Sequence, residues 1–534
     1  MLRDQLGRRG AKDGCSPQGQ CGCCTVWVDG QPRVACVTPA RRVARRQVTT
    51  IDGLPAELRR RWAEAFGAHG ASQCGFCTPG IIMRLAGLAQ RRPLDEAAVR
   101  SALLAHLCRC TGWNTIVEAA LVVGDAPPAG HVPDMRHESP AGHEAPVGHL
   151  ATTVQRRPPA AQRDLDAAER RAGLEGRSVQ QVGPAVALGQ SGFADDTAPD
   201  GSLIAVPDGQ GGWALGASLA EARRRAGKVQ GRNSTVALRH PLEVPPGEWT
   251  LTLRTTFVEP AYLEPDASWC RPGGEPASPL ANGGAFGAKR SSPVTAAARR
   301  LADEHGRPVR VVFSREDVVR QGAKRPPIAV GIRPDGTGVL HVARTPGTPP
   351  LTGWAEALTA AAPGLQVVEV AVPGPPLSAE LRAAGWAEGA VVRAALAAMG
   401  QPGPPGAGRA EVTSLDGARA AVSVAPDGVT VTVAAGQILD EVVLRSYCVG
   451  AVHQALSWVR SEGVAVSEDG TVLDLTIRSF GVLTARDMPP VTVTVEPDER
   501  PPVNGSDAVF AATAAATWLA DGLPSQWPSR PGRR

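Results

Sequence analysis

The chain of 534 residues is too long for one hydrophobic core and implies about three to five domains. Its net charge of +4 and aromatic content of 4% leave no basic, aromatic-interleaved footprint of the kind that marks nucleic-acid binding. Residues 1–13 are polar and basic without an apolar run, and no apolar stretch reaches about 18 residues, so neither a signal peptide nor a membrane span is read.

Nine of the eleven cysteines fall between Cys15 and Cys110. Such density outside a small secreted scaffold argues for bound metal and a reducing compartment, so a cytoplasmic location is expected. Cys15 is followed by Cys21, Cys23 and Cys24. Cys36 follows two short apolar runs that flank Asp29-Gly30 and read as a β-hairpin. Three cysteines on one tight loop and a distant fourth approach the plant-type spacing of a two-iron, two-sulfur cluster. Leu58, Trp62, Ala65 and Phe66 recur at helical spacing, and Cys74-Gly-Phe-Cys77 then opens a second group. Helices are predicted over 81–90 and 95–107, after which Cys108-Arg-Cys110 completes that group. Four thiolates arriving as two close pairs suit another two-iron cluster, and either group by itself also suits zinc.

Taken together and in this order, the cysteine loop, Gln73-Cys-Gly-Phe-Cys-Thr-Pro-Gly80 and Cys108-Arg-Cys-Thr-Gly112 resemble the iron-sulfur part of the xanthine oxidase and aldehyde oxidoreductase family of molybdenum hydroxylases. The resemblance implies an α+β multidomain fold. A ferredoxin-like β-grasp [2Fe-2S] domain over 1–53 would use Cys15, Cys21, Cys24 and Cys36. A helical [2Fe-2S] domain over 54–123 would use Cys74, Cys77, Cys108 and Cys110. Residues 2–7 resemble the helix that leads into the first cluster. The family's preceding β-hairpin is missing, so a start placed too far downstream or a shortened domain is expected. The loop between Cys15 and Cys21 is one residue wider than usual, and Cys23 reads as a spare thiol or a rival ligand. In the family, the positions of Gln73 and Cys110 lie close to the pterin.

Residues 124–170 are rich in Pro, Ala, Gly and His, with a loose Pro-Ala-Gly-His repeat, and read as a disordered linker. Residues 171–345 resemble the first part of the family's molybdopterin subunit in reduced α/β form. Their main signal is Gly283-Gly284-Ala285-Phe286-Gly287-Ala288-Lys289, similar to a glycine loop whose backbone approaches the pterin. Gly283, Gly284, Phe286 and Gly287 are therefore expected to bind the cofactor, with Ala285 and Ala288 off pattern and Pro260 at the place of a usual histidine. Residues 346–408 read as an α/β segment of uncertain role. Residues 409–534 resemble the molybdopterin subunit's end, with Asp507 in the place of the family's catalytic glutamate. Ser506 would serve as a helix N-cap there.

By this resemblance the cofactors are two [2Fe-2S] clusters and molybdopterin, and the reaction is hydroxylation of an aldehyde or N-heterocycle. Electrons would leave through both clusters to a separate FAD-binding subunit or other acceptor, because no flavin domain can be read here. The competing expectation is a non-catalytic electron-transfer or scaffolding protein with a degenerate molybdopterin region. The chain's shortness against a full pair of such subunits favours it. His240, His305, His341 and His453 form no ligand pattern, and Cys270 and Cys448 read as buried small hydrophobes.

Overall fold

A computed structural model describes residues 1–15, 17–125, 163–227, 231–280, 282–401 and 404–530. Near the N-terminus, β1 (Thr25–Val28) and β2 (Gln31–Val34) pair antiparallel across Asp29-Gly30, both residues at positive φ. This is the two-residue hairpin that an Asp-Gly pair favours. β3 (Val48–Thr49) joins β1 on its other side, giving the order β2-β1-β3. The helix expected over 2–7 is a single turn, in which Gln5 and Leu6 N–H both reach Met1 O before Gly7 turns left-handed. One turn cannot repay helix nucleation, so it does not propagate.

Four helices follow: α1 (Ala56–Ala68), α2 (Thr78–Ala89), α3 (Glu96–Ala102) and α4 (Asn114–Asp125). Asp95 caps α3 by accepting from Ala98 N–H at 2.7 Å. Trp62, Phe66, Ile81, Ile82 and Leu85 from α1 and α2 are fully buried in one core. The expected linker falls largely on 126–162, outside the described residues, as does its histidine repeat. Its last residues are not linker, because α5 (Leu165–Gly176) begins there with Asp164 as N-cap.

Two short helical turns, α6 (Pro184–Ala187) and α7 (Ala194–Thr197), lead into a four-stranded sheet. Its strands are β4 (Leu203–Pro207), β5 (Trp213–Gly216), β7 (Ala267–Cys270) and β8 (Val309–Val312), ordered β5-β4-β8-β7, with α8 (Leu219–Ala226) and α9 (Val294–His305) packed on it. A second sheet has the order β11-β10-β9-β6, from β6 (Leu251–Arg254), β9 (Ile328–Ile332), β10 (Gly338–Arg344) and β11 (Leu365–Ala371). α10 (Arg315–Gln321) precedes β9 and α11 (Thr352–Ala361) precedes β11. A boundary at 345/346 is thereby corrected, because β11 pairs in parallel with β10 and the sheet runs across it.

The last sheet joins β12 (Gly408–Thr413), β13 (Arg419–Ala425) and β14 (Gly428–Ala434) as a meander, with β15 (Val491–Val495) parallel to β14. Three helices pack here: α12 (Trp386–Ala398), α13 (Glu441–Arg460) and α14 (Ser506–Ala520). α13 is buried nearly all round and touches α4, α5, β15 and α14, as a central helix must. Among the described residues no helix is long and apolar enough to cross a membrane.

Candidate metal centres

The hairpin turns the chain so that Cys36 returns to the loop of Cys15, Cys21 and Cys24. The Cys15 thiol lies beside those of Cys21 and Cys36, and Cys24 lies beside Cys36. Cys15, Cys21 and Cys24 are buried and Cys36 is half-buried. Backbone N–H groups of Gln18 (3.3 Å) and Gln20 (3.5 Å) point at Cys15 Sγ, and that of Cys36 points at Cys24 Sγ (3.4 Å). The neighbouring thiols and these donors hold Cys15 and Cys24 below the usual thiol range, and the same contacts push their partners Cys21 and Cys36 above it. The thiolate is the form that binds metal.

In the second group Cys110 Sγ stands 3.6 Å from Cys74 Sγ. Cys77 faces Cys108, and this neighbour brings Cys108 down to about 6 against the effect of burial. Two thiolates on one tetrahedral metal with bonds of about 2.3 Å stand about 3.8 Å apart. The Cys74/Cys110 separation is therefore one that a shared metal spans, and Cys77/Cys108 supplies a second pair. Among the described residues no three or more His, Cys, Asp or Glu converge on a single metal ion. In the second group the thiols approach as two pairs, a donor set that a two-iron cluster takes.

The two groups touch. Leu107 N–H, next to Cys108, donates to Cys21 O at 3.0 Å, and Thr25 Oγ1 lies 3.2 Å from His106 Nε2. Burial lowers His106 to about 3, so its ring is neutral at this contact. Cys23 is fully buried beside the Cys21 thiol, with its Sγ 3.8 Å from Cys21 O. The wide loop is used for docking: Gln18 Nε2 donates to Leu475 O (2.8 Å) and Gln20 O accepts from Arg478 Nε (3.0 Å).

Gln73 is adjacent to this centre, but its Nε2 is spent on Cys110 O (3.1 Å) and Ser446 Oγ of α13 (3.0 Å). The glycine loop does reach the second cysteine group. A Cβ on Gly284 would lie 2.9 Å from Cys74 Cβ and 3.0 Å from its Sγ, and φ is +83° there, so only glycine fits. At Gly287 a Cβ would lie 1.7 Å from Glu380 O, so the chain carrying Arg382 occupies the close approach that this glycine permits. Gly283 faces Gln180 instead.

Arg382 and Asp507 meet where the resemblance calls for a pterin and a base. Arg382 Nε donates to Asp507 Oδ1 at 3.0 Å, and its guanidinium lies 4.9 Å over the Phe286 ring. Asp507 Oδ2 pairs with Arg177 at 2.6 Å, and the Asp507 side chain is 5% exposed. Ser506 does not cap α14 as expected. It is the first helical residue, and Asn504 Oδ1 accepts from Asp507 N–H (2.9 Å). The buried Glu175 of α5 accepts from Gly505 and Ser506 N–H at 3.1 and 2.8 Å. A carboxylate at a helix N-terminus is favoured by the exposed amides and the dipole.

Other buried ion pairs close the same region: Lys289 with Glu264 (2.6 Å), Lys324 with Glu259 (2.9 Å), Arg325 with Glu388 (2.8 Å) and Arg109 with Glu462. The cavity between Cys110, Gly284 and Glu264 measures about 10 Å³, and the one between Pro260, Phe286 and Arg382 about 40 Å³. Sites for cofactor-sized ligands run to about 300–1,000 Å³. The residues present fit a two-iron cluster at each cysteine group and do not fit a molybdopterin beside them.

Sequence reading missed Arg382, Arg177 and Glu175, because partners so distant in the chain leave no local spacing, and it carried Lys289 only as the end of the glycine loop, without its partner Glu264. Burial raises Glu264 to about 7, with Lys289 opposing. Its folded value lies above the unfolded 4.5, so its contribution to stability is full below that value and is lost as pH rises through about 7. Thermal denaturation of wild type and Glu264→Gln from about pH 6 to about pH 8 checks this. Wild type is expected to lose about 1 kcal/mol relative to the variant across that window.

Comparison with known proteins agrees with the cysteine geometry. Residues 50–121 match the model of the [2Fe-2S] binding domain. The aldehyde oxidoreductase of Megalodesulfovibrio gigas is 44% identical over 127 residues, which are 23% of this chain and 14% of that protein. The nicotine 6-hydroxylase small subunit of Paenarthrobacter nicotinovorans is 41% identical over 127 residues, 24% of this chain and 74% of that subunit. The chain thus spans about one-seventh of the first relative and about three-quarters of the second. In structure it resembles the aldehyde oxidoreductase from Desulfovibrio gigas, with a TM-score of 0.66 at 15% identity, covering 99% of this chain and 96% of that one. That likeness shows the fold, α+β and multidomain.

Proposed function

Because the chain belongs to the xanthine dehydrogenase and aldehyde oxidoreductase family of molybdenum hydroxylases, we propose that it is an oxidoreductase component that relays electrons through two [2Fe-2S] clusters and holds no molybdopterin of its own. Cys15, Cys21, Cys24 and Cys36 would hold one cluster, and Cys74, Cys77, Cys108 and Cys110 the other. Each cluster, when bound, takes up and gives back one electron. The residues around them bring the two sites together: Leu107 N–H on Cys21 O joins one ligand's backbone to the neighbour of another. Burial of seven of the eight thiols keeps water from the sulfurs, and Cys36 is the half-exposed exception.

The observation that carries this reading is Arg382, held by Asp507 and stacked over Phe286 of the loop that the resemblance assigns to the pterin. A second reading is hydroxylation of an aldehyde or N-heterocycle by this chain, favoured by the glycine loop lying against Cys74 and Cys110. In either case the electron acceptor is proposed to be a separate protein, and the compartment a reducing one.

Metal and sulfide analysis of anaerobically purified protein tests the proposal. About four irons and four labile sulfides per chain are expected, without stoichiometric molybdenum. Zinc without labile sulfide overturns the relay. Stoichiometric molybdenum with dye-linked turnover that disappears in Asp507→Ala establishes the second reading instead.

A further inference from the structure

Between Gly30 and Ile51 the chain carries Arg33, Arg41, Arg42, Arg45 and Arg46 and no acidic residue, a local charge larger than the +4 of the whole protein. All five side chains are exposed. Among the described residues only Arg46 of the five has a carboxylate partner, Asp29 at 2.6 Å, and that pair is itself half-open to water. The segment is not a loose arm. Ala35 and Val43 pack against the buried Val26 and Val28 of β1, and backbone bonds from Arg42 to Pro39 and from Arg46 to Val43 fold it into successive turns.

Within this arginine-rich stretch lies Cys36, the one proposed cluster ligand that is not buried, followed by Val37 at 57% exposure. Val48 is a further exposed apolar residue of the same segment. An apolar centre with a charged rim is the anatomy of a transient protein interface. The stretch has no Phe, Tyr or Trp, the residues on which single-stranded nucleic acid stacks. It has no long amphipathic helix to lie on a membrane either.

We propose that this face, centred on Cys36 and Val37 and rimmed by Arg33, Arg41, Arg42, Arg45 and Arg46, docks an electron-accepting protein through an acidic surface of that partner. The assignment rests on the relay reading above and adds the partner's chemistry. Opposite charges draw the acceptor in and orient it, and the half-buried Cys36 then sits at the point of closest approach. Attraction of this kind raises association rates by about 10- to 1,000-fold at low salt and is screened over about 10 Å at 0.1 M.

The test uses the purified, cluster-loaded protein with an acidic flavodoxin as the probe. Binding is measured by calorimetry at about 20 mM and about 300 mM salt. The wild type is expected to bind at least tenfold more weakly at the higher salt, and Arg41→Glu/Arg42→Glu/Arg45→Glu at least tenfold more weakly at the lower. Iron content and visible absorbance of the variant should match wild type, and the Arg→Gln triple variant should fall between the two. Binding that ignores salt, or a charge-reversed variant that binds as well as wild type, overturns the proposal. So does tighter association with phosphatidylserine vesicles or single-stranded DNA than with flavodoxin under the same conditions. Protein purified without iron and sulfide sinks the relay itself, whereas loaded protein with charge-independent binding sinks only the docking face.

Discussion

Cys24→Ala is expected to lose one cluster outright, with iron falling from about four to about two per chain and the low-temperature EPR signal of one reduced centre disappearing. Cys24 and Cys36 form the outer thiol pair of the first group, and the Cys36 N–H that points at Cys24 Sγ favours its thiolate. Nothing nearby replaces Cys24 on that side, because Cys23 leans on Cys21. Cys23→Ala should accordingly keep both clusters, at the cost of one small buried side chain. The reverse outcome, with Cys23→Ala losing iron and Cys24→Ala retaining it, moves the ligand to Cys23.

The second large effect belongs to the buried pair of Arg382 and Asp507. Arg382→Met leaves the Asp507 carboxylate at 5% exposure with only the half-exposed Arg177 as partner. Breaking one side of a buried pair costs about 3–5 kcal/mol, and the surviving Arg177 contact places the expected loss near the lower end. Denaturant unfolding measures it. Arg382→Met/Asp507→Leu should recover most of the loss, since a buried pair replaced by apolar residues of similar volume is close to neutral. Asp507→Ala should likewise lower stability while leaving reduction of both clusters by dithionite unchanged. A variant that unfolds at the wild-type denaturant concentration but loses substrate turnover would mean that Asp507 is a base.

The two cysteine groups, the Asp29-Gly30 hairpin and most helices of the first 125 residues are legible in the order of amino acids alone. Each is a short-range matter: ligand spacing, a turn pair that tolerates positive φ, or apolar residues returning every third or fourth position. The same holds for α14, which begins at Ser506 where a helix start is expected. The glycine loop was visible too, but its meaning was not. Glycines report that something approaches the backbone closely, and it takes the folded chain to reveal that Cys74 and Glu380 do so. Asp507 was likewise conspicuous by position, while its partners Arg177 and Arg382 lie 330 and 125 residues away in the chain. The extra residue before Cys21 looked like a loosened cluster loop, and in the fold that loop reaches Leu475 and Arg478. Pairings of this range depend on where sheets and helices come to rest against each other, a property of packing that no local pattern of residue types encodes.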